Sequence, residues 1–440
     1  MNTVHKNSRL LLERQKQVFG GFGIPAQLPE LVVAKGEGAF VVDVEGNKFL
    51  DLVTTSNLLG HSDEEVTSAI CNQAKKLLLF YAGMGLTERA LELAEAIKEV
   101  VPGDLKSGGV VLGSSGAEIV ESSIKLAKYH TNRSVVISFF GGHHGRNLGV
   151  LPYCADGAAN KVRFTPTIVD SIHVPYPHCY RCSLSCGESE CSLACFDYLE
   201  QILDYVVPPE NVAAVLIEPL LSKEGFPMPS IEYLRKLRKL CDSHGILLIM
   251  DEIMTGFGRT GKMFAIEHWS IEPDIILLGK GMGAGMPIAA FVAQPKKLID
   301  EWKVGAKGGV TSSGASNSVS CVAALTAIRA VKERRLTEHA RDVGQYLLER
   351  LRELESFDCI GSVRGTGLLC GIEIVKDKES KSPDAAMAEQ IVQDAYENGV
   401  LLDRVGVYGQ VIRLIPPLIF TRGMADRVVS TLKKGLVKTQ

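Results

Sequence analysis

Apolar residues along the chain fall into two patterns, which predict strands and helices in alternation. Four short runs are almost continuously apolar: SVVISFF (134–140), VAAVLIEP (212–219), ILLIMDE (246–252) and DIILLGK (274–280). Runs of this length are typical of strands buried on both faces. The longer amphipathic segment SIEYLRKLRKLCDSHG (230–245) is typical of the intervening helices. The alternation predicts an α/β fold, with a mainly parallel central sheet covered by helices.

The two ends of the chain show different patterns. Near the start, GAFVVDVEGNKFLDL (38–52) predicts a hairpin that turns at Glu45 and Gly46. The last third mixes the helix-like HARDVGQYLLERLREL (339–354) with the short strand-like runs GLLCGIEIV (367–375) and QVIRLIPPL (410–418). We therefore predict a large α/β domain at residues 61–324. A smaller α+β domain would be formed from residues 1–60 and 325–440.

Composition and charge narrow the function classes. Hydrophobic residues make up 46%, charged residues 22%, and the net charge is -3, so nothing favours nucleic acid or an anionic membrane as a partner. The N-terminal segment interrupts its leucines with charge, unlike a secretory signal, and no apolar run is long enough to span a bilayer. The eleven cysteines are odd in number and mostly scattered, which argues against a disulfide framework. We expect a cytoplasmic protein with small-molecule substrates.

Polar residues at the ends of the predicted strands indicate where chemistry would occur. Glu218, Asp251 and Lys280 each end an apolar run, and ligands of open α/β sheets bind beyond the carboxyl ends of the strands. Asp251 and Lys280 are about one strand-helix-strand unit apart, so they could face one crevice. A buried ion pair between these two residues is the alternative.

A small-residue loop before a predicted helix offers a phosphate site. In GSSGAEIVESSIKLAKYH (113–130), Ser115 and Glu118 have the spacing of a capping box, although a plain helix start is the alternative. The free N–H groups of such a helix start bind phosphate well. The glycines around Lys280 lack the G-x-G-x-x-G spacing of dinucleotide sites. A phosphate-binding helix start, a carboxylate and a lysine together suit pyridoxal phosphate, with the lysine forming a Schiff base.

The segment DEIMTGFGRTGKMFAIEHWSIEPDIILLGKGMGAGMPIAAFVA (251–293) resembles the signature of class III aminotransferases, which are pyridoxal phosphate enzymes of fold type I. Further segments agree with this resemblance: GSSGAEIVESSIKLA, FFGGHHGRNLG, VLIEPLL, RGTGLLCGIEIV and VIRLIPPL. The resemblance implies a fold type I transferase that uses pyridoxal phosphate. It also implies an amino donor and a 2-oxo acid as substrates, and a homodimer with its active sites at the subunit interface.

Carried over residue by residue, the resemblance assigns roles in the site. Lys280 would be the Schiff-base lysine and Asp251 the partner of the ring nitrogen, so these two are the expected catalytic residues. Ser313 stands four residues before Asn317, where the family usually has a threonine that reaches the phosphate across a dimer interface. The expected cofactor-binding residues are Ser115, Gly116, Ala117, His143, Glu218, Asp251, Met254, Lys280 and Ser313. Arg146 and Arg413 match positions that can bind substrate carboxylates.

Three positions depart from the family pattern. His143 stands where an aromatic ring usually stacks on the cofactor, and Met254 replaces the usual glutamine. Lys223 stands where a gating glutamate usually neutralises the substrate-binding arginine. Glu224, one place later, could take over that role if the loop shifts by one residue.

A cysteine-rich segment, CYRCSLSCGESECSLAC (179–195), lies outside these signatures. Its spacing suits a zinc site made by Cys179, Cys182, Cys191 and Cys195. A reduced loop insert without metal is the alternative. A redox role for Cys179 and Cys182 is less well supported, because no thioredoxin-like strand and helix surround them.

These observations leave three functional hypotheses. The first is a pyridoxal phosphate aminotransferase that moves an amino group between an amino acid or amine and a 2-oxo acid. The second is an amino-acid racemase or epimerase, a known side branch of the same family. The third is a catalytically silent relative, which the joint presence of Lys280, Asp251 and the phosphate loop argues against.

Overall fold

The computed structural model describes residues 6–19, 27–28, 30–164, 170–186, 191–300, 302 and 312–438. Its strands are β1 (Val33–Glu37), β2 (Phe40–Asp43), β3 (Lys48–Asp51), β4 (Gly109–Gly113), β5 (Val135–Phe139), β6 (Ser171–Val174), β7 (Val212–Ile217), β8 (Leu247–Asp251), β9 (Ile275–Leu278), β10 (Ala289–Ala293), β11 (Ile360–Thr366), β12 (Leu369–Ile374), β13 (Val400–Leu401), β14 (Asp403–Val405) and β15 (Val411–Leu414). Its helices are α1 (Lys6–Val18), α2 (Glu64–Ala74), α3 (Glu88–Val100), α4 (Gly116–Thr131), α5 (Ala194–Tyr205), α6 (Ile231–His244), α7 (Lys297–Asp300), α8 (Ser318–Glu333), α9 (Leu336–Arg352), α10 (Ala385–Glu397) and α11 (Arg422–Lys438).

The central sheet has seven strands in the order β4-β10-β9-β8-β7-β5-β6. The neighbours from β9 to β6 all run parallel, whereas β10 is antiparallel to both β4 and β9. The four predicted apolar runs form β5, β7, β8 and β9. The prediction of a mainly parallel sheet is therefore confirmed, and its parallel strands bring their carboxyl ends to one edge.

Helices cover both faces of this sheet. All six residues of β7 are buried, and successive side chains point to opposite faces. Ala214 and Leu216 pack in the cluster that contains the apolar face of α4, while Val215 and Ile217 pack in the cluster that contains α6. Helix α6 begins and ends at residues suited to caps: the Ser230 hydroxyl accepts the N–H of Tyr233, and Gly245 adopts φ 61°. None of the described helices combines the length and apolar composition needed to cross a bilayer.

Two smaller sheets use strands from the chain ends. Strands β2 and β3 form the predicted hairpin, pairing Phe40 with Leu50, and Gly46 turns the chain with φ 90°. Strand β13, from near the C-terminus, adds parallel to β3, so both chain ends share one sheet. The third sheet, β11-β12-β15-β14, is antiparallel. The domain boundaries at residues 60 and 324 stay predictions.

Candidate active site

Three adjacent parallel strands deliver the predicted polar residues to one cavity. Glu218 follows β7, Asp251 ends β8, and Lys280 follows β9 after one glycine. All three line a cavity of about 190 Å³. Its other lining residues are Gly116, Ala117, His143, His144, Gly145, Ile253 and Met254. Seven of the nine residues expected to bind the cofactor therefore share this cavity, while Ser115 and Ser313 are not in its lining.

Lys280 is held in an unusual backbone conformation and an unusual electrostatic environment. Its φ of 42° is in the left-handed region, which residues other than glycine rarely adopt. Burial lowers its pKa from 10.5 to about 8, against the opposing charges of Asp251 and Glu218. At pH 7 about a tenth of these side chains are in the free amine form, which is the form that attacks a carbonyl carbon.

Asp251 is positioned by His144. The Asp251 Oδ2 and His144 Nδ1 atoms are 2.7 Å apart, and the two side chains are 4% and 1% exposed. The other oxygen, Oδ1, accepts the N–H of Ile253 at 3.1 Å. Burial alone would lower the pKa of His144, but the hydrogen bond and charge of Asp251 outweigh it and raise the pKa. The pair thus supports a fixed carboxylate in the cavity wall.

The start of α4 forms another part of the wall. The Ser115 hydroxyl caps the helix by accepting the N–H of Glu118 at 3.3 Å. The predicted capping box differs in one detail, because the Glu118 carboxylate accepts from the N–H of Ser114 at 2.8 Å rather than from Ser115. The first N–H groups of a helix have no partner inside it. Those of Gly116 and Ala117, which line the cavity, are available to an anion.

His143 belongs to a separate hydrogen-bonded pair. Its Nδ1 lies 2.8 Å from Oδ2 of Asp156, and its backbone N–H donates to Oε1 of Glu218 at 2.9 Å. Burial would raise the pKa of Asp156, but the bond from His143 outweighs it and lowers the pKa. Burial and the nearby Asp251 raise the pKa of Glu218, against the opposing charge of His144.

The chemistry of this donor set fits pyridoxal phosphate. The start of α4 suits its phosphate, the carboxylate of Asp251 suits a cationic ring nitrogen, and the amine of Lys280 suits its aldehyde. Two side chains depart from the usual set, since the thioether of Met254 has no hydrogen to donate and His143 offers a smaller ring for stacking.

Three further residues expected to bind substrate or phosphate, Arg146, Arg413 and Ser313, are not in the lining of this cavity. Arg146 is exposed, and the buried Arg413 forms an ion pair with the half-buried Asp403. Glu224 does not take over the gate in this structure: its backbone carbonyl accepts from Arg364, and Asp403 is the ion-pair partner of Arg413. Ser313 is exposed.

The structure does not support the zinc prediction for Cys179, Cys182, Cys191 and Cys195. Across the described ranges, one group brings three potential ligand atoms within 4.8 Å of one another, and it consists of His143, Cys154 and Asp156. Burial raises the pKa of Cys154 to about 12, so without a metal its thiol is protonated at neutral pH. Residues 187–190, between Cys186 and Cys191, lie outside the described ranges. Among the described residues, no three of these sulfur atoms lie within 4.8 Å of one another.

Sequence reasoning missed three residues that organise the site: His144, Asp156 and Asp403. For His144 a signal existed, because it is the second histidine of the HHGR motif. Asp156 and Asp403 lie 13 residues from His143 and 10 from Arg413 respectively, and no local motif marks them. Their roles come from loop packing and strand register.

Comparison with known proteins extends over nearly the whole chain. The family model described as aminotransferase class-III matches residues 25–436. The chain is 33% identical to an alanine/serine racemase from Pyrococcus horikoshii over 98% of this chain and 90% of that enzyme. It is 32% identical to the 4-aminobutyrate aminotransferase of Escherichia coli K12, over 94% and 95% of the two chains. The crystal structure of a Bacillus anthracis aminotransferase superposes with a TM-score of 0.90 at 28% identity, covering 100% of both chains.

Proposed function

The chain belongs to the class-III aminotransferase family, and from that premise we propose that it is a pyridoxal phosphate-dependent aminotransferase. It would move an amino group between an amino acid or amine and a 2-oxo acid. The observation that carries the proposal is that Lys280, Asp251 and the start of α4 line one cavity. Pyridoxal phosphate is the cofactor expected for this family.

Four elements of the chain would hold the cofactor. The N–H groups of Gly116 and Ala117 would bind its phosphate, and Asp251 would keep a proton on its ring nitrogen. Lys280 would bind its aldehyde carbon through Nζ. His143, fixed by Asp156, would lie against the ring. When bound, pyridoxal phosphate supplies an electron-withdrawing cationic ring that stabilises negative charge at the substrate's Cα.

The catalytic steps assigned to the chain itself are proton transfers. Lys280 would be the base that takes the proton from the substrate's Cα with its Nζ, and the acid that afterwards gives it back. The lowered pKa of Lys280 suits this task, because a base is most effective when its pKa is near the working pH. His144 would orient Asp251 through the 2.7 Å contact and so preserve the charge that favours Cα deprotonation.

Amino-acid racemisation is the second candidate. It is favoured by the similarity to the alanine/serine racemase over 98% of this chain. Two side chains able to carry a proton, Lys280 and His143, line the same cavity. A racemase would return the proton to the opposite face of Cα instead of to the cofactor carbon.

We propose a homodimer as the working form. Between α2 and α3, a run of large apolar side chains is exposed: Leu77, Leu78, Leu79, Phe80, Tyr81, Met84 and Leu86. Exposed apolar patches of this kind mark interaction surfaces, and a second copy of the chain is the partner that the family supplies. Ser313 would then reach the partner's phosphate site. The cytoplasmic location is also a proposal, which rests on the scattered, odd-numbered cysteines.

One experiment separates the two reactions. The holoenzyme is incubated with single amino-acid enantiomers in heavy water, without any 2-oxo acid. Aminotransfer predicts that the amine form of the cofactor accumulates and that turnover begins only when a 2-oxo acid is added. Sustained deuterium incorporation with loss of optical purity, and no need for a 2-oxo acid, would show instead that the reaction is racemisation.

A further inference from the structure

Arg413, the arginine that the family resemblance assigns to substrate, already has a half-buried counterion. It lies on β15 directly opposite Asp403 of β14, and the two side chains form an ion pair with exposures of 5% and 18%. A second guanidinium nitrogen donates to the backbone carbonyl of Ser222 at 2.9 Å. The positive charge of Arg413 is therefore balanced within the protein.

Asp403 is itself held through both carboxylate oxygens. One oxygen pairs with Arg413, and the other accepts from the side-chain amide of Gln27 at 2.9 Å. The Gln27 oxygen in turn accepts the N–H of Arg404 at 2.8 Å. Moving Asp403 away would break these bonds and leave a buried guanidinium without a counterion, which is costly. Asp403 is therefore fixed on a strand beside Arg413, and it does not act as a gate that moves away from the arginine.

Lys223 lies beside this pair without a carboxylate partner of its own. Its backbone carbonyl accepts the N–H of Gly406 at 2.7 Å, which fixes the chain at this point, and its side chain is half-buried. Within the described ranges no carboxylate oxygen lies within ion-pair distance of its ammonium. Ser222, which precedes Lys223, accepts from Arg413 and donates its N–H to Glu218 of the cavity wall at 3.2 Å, so Lys223 and Arg413 both lie beside the candidate active site.

Resting on the proposed function, we propose that Lys223, rather than Arg413, binds the substrate carboxylate, and that Asp403 keeps Arg413 from binding a second one. The preferred substrates are then amino acids and 2-oxo acids with a single carboxylate. A half-buried ammonium binds such a group as a point charge. A second carboxylate would have to displace Asp403 from Arg413, because the charge of that arginine is already matched.

The test measures binding without turnover. Pyruvate and its uncharged analogue pyruvamide are titrated into the holoprotein by calorimetry. We expect the wild type to bind pyruvate more tightly than pyruvamide. Lys223→Met should weaken the affinity for pyruvate about tenfold or more and leave the affinity for pyruvamide unchanged. Lys223→Arg should retain the preference. Lys376→Met, which removes an exposed lysine charge, is the matched control and should change neither affinity.

A gain-of-function variant tests the role of Asp403. Asp403→Asn keeps the shape of the side chain but frees the charge of Arg413, so the affinity for 2-oxoglutarate should rise relative to that for pyruvate. The proposal is overturned if the wild type does not prefer pyruvate to pyruvamide, or if Lys223→Met keeps that preference. It is also overturned if Asp403→Asn leaves the ratio of the affinities for 2-oxoglutarate and pyruvate unchanged. Because these titrations need no reaction, intact binding without amino transfer would instead count against the proposed function.

Discussion

Replacing Lys280 by methionine should make the cofactor-free protein more stable at neutral pH. The folded protein holds this amine at a pKa of about 8 instead of 10.5, so the folded state binds its proton less tightly than the unfolded chain does. At pH 7 this difference of 2.5 pKa units corresponds to about 3 kcal/mol of destabilisation. Methionine fills a similar volume without a charge and removes that cost.

The sign of the pH dependence follows from the same shift. Between pH 8 and 10.5 the unfolded chain binds more protons than the folded state, so wild-type stability rises with pH and the advantage of methionine shrinks to about 2 kcal/mol at pH 9. For 440 residues the unfolding entropy makes 1 kcal/mol equivalent to about 1 °C in Tm. We therefore expect Lys280→Met to raise Tm by about 3 °C at pH 7 and by about 2 °C at pH 9.

The assay is thermal unfolding of both proteins after removal of cofactor, with Lys376→Met as the control for loss of an exposed charge. The control should leave Tm unchanged at both pH values. A lower Tm for Lys280→Met at pH 7, or a gain in Tm that grows towards pH 9, would refute the reasoning that burying the charged Lys280 destabilises the fold.

Three further outcomes are expected. Asp251→Asn should still bind the cofactor but lose activity on the order of 100- to 1000-fold, because a neutral amide does not hold the ring nitrogen cationic; near-normal turnover would leave the carboxylate with a structural role alone. His144→Leu should lower kcat about 10- to 100-fold and shift the pH dependence of the bound cofactor's absorption, whereas a variant altered in stability but normal in both would show that His144 does not position Asp251. Metal analysis of protein purified without chelator should find no stoichiometric zinc, and one zinc per chain lost in Cys179→Ser/Cys182→Ser would contradict the structural assignment.

The residues that the sequence could identify are those placed by strand order. Asp251 ends β8, and Lys280 comes two residues after the neighbouring parallel strand β9. Continuous apolar runs mark such strands in any sequence. Gly116 and Ala117 could be identified from sequence for a similar reason, since the small-residue loop and the helix cap are local features. The fold type and these parts of the cavity could therefore be predicted.

The residues that the sequence could not identify depend on packing between separate segments. Asp403 balances Arg413 because of the register between β14 and β15, which hydrophobic patterning does not fix for strands this short. Asp156 reaches His143 across a loop. The cysteines show the converse, because spacing suitable for zinc does not by itself bring three sulfur atoms within 4.8 Å of one another. Side-chain pairing across elements is thus the information that patterning lacks.

The central claim, that Lys280 is the residue that holds the cofactor, is tested most directly by chemical trapping. The holoprotein is treated with borohydride, digested and mapped by mass spectrometry. The pyridoxyl group should be found on Nζ of Lys280, and Lys280→Met should carry none. A label on any other lysine, or a visible cofactor band that borohydride leaves unchanged, would contradict the account.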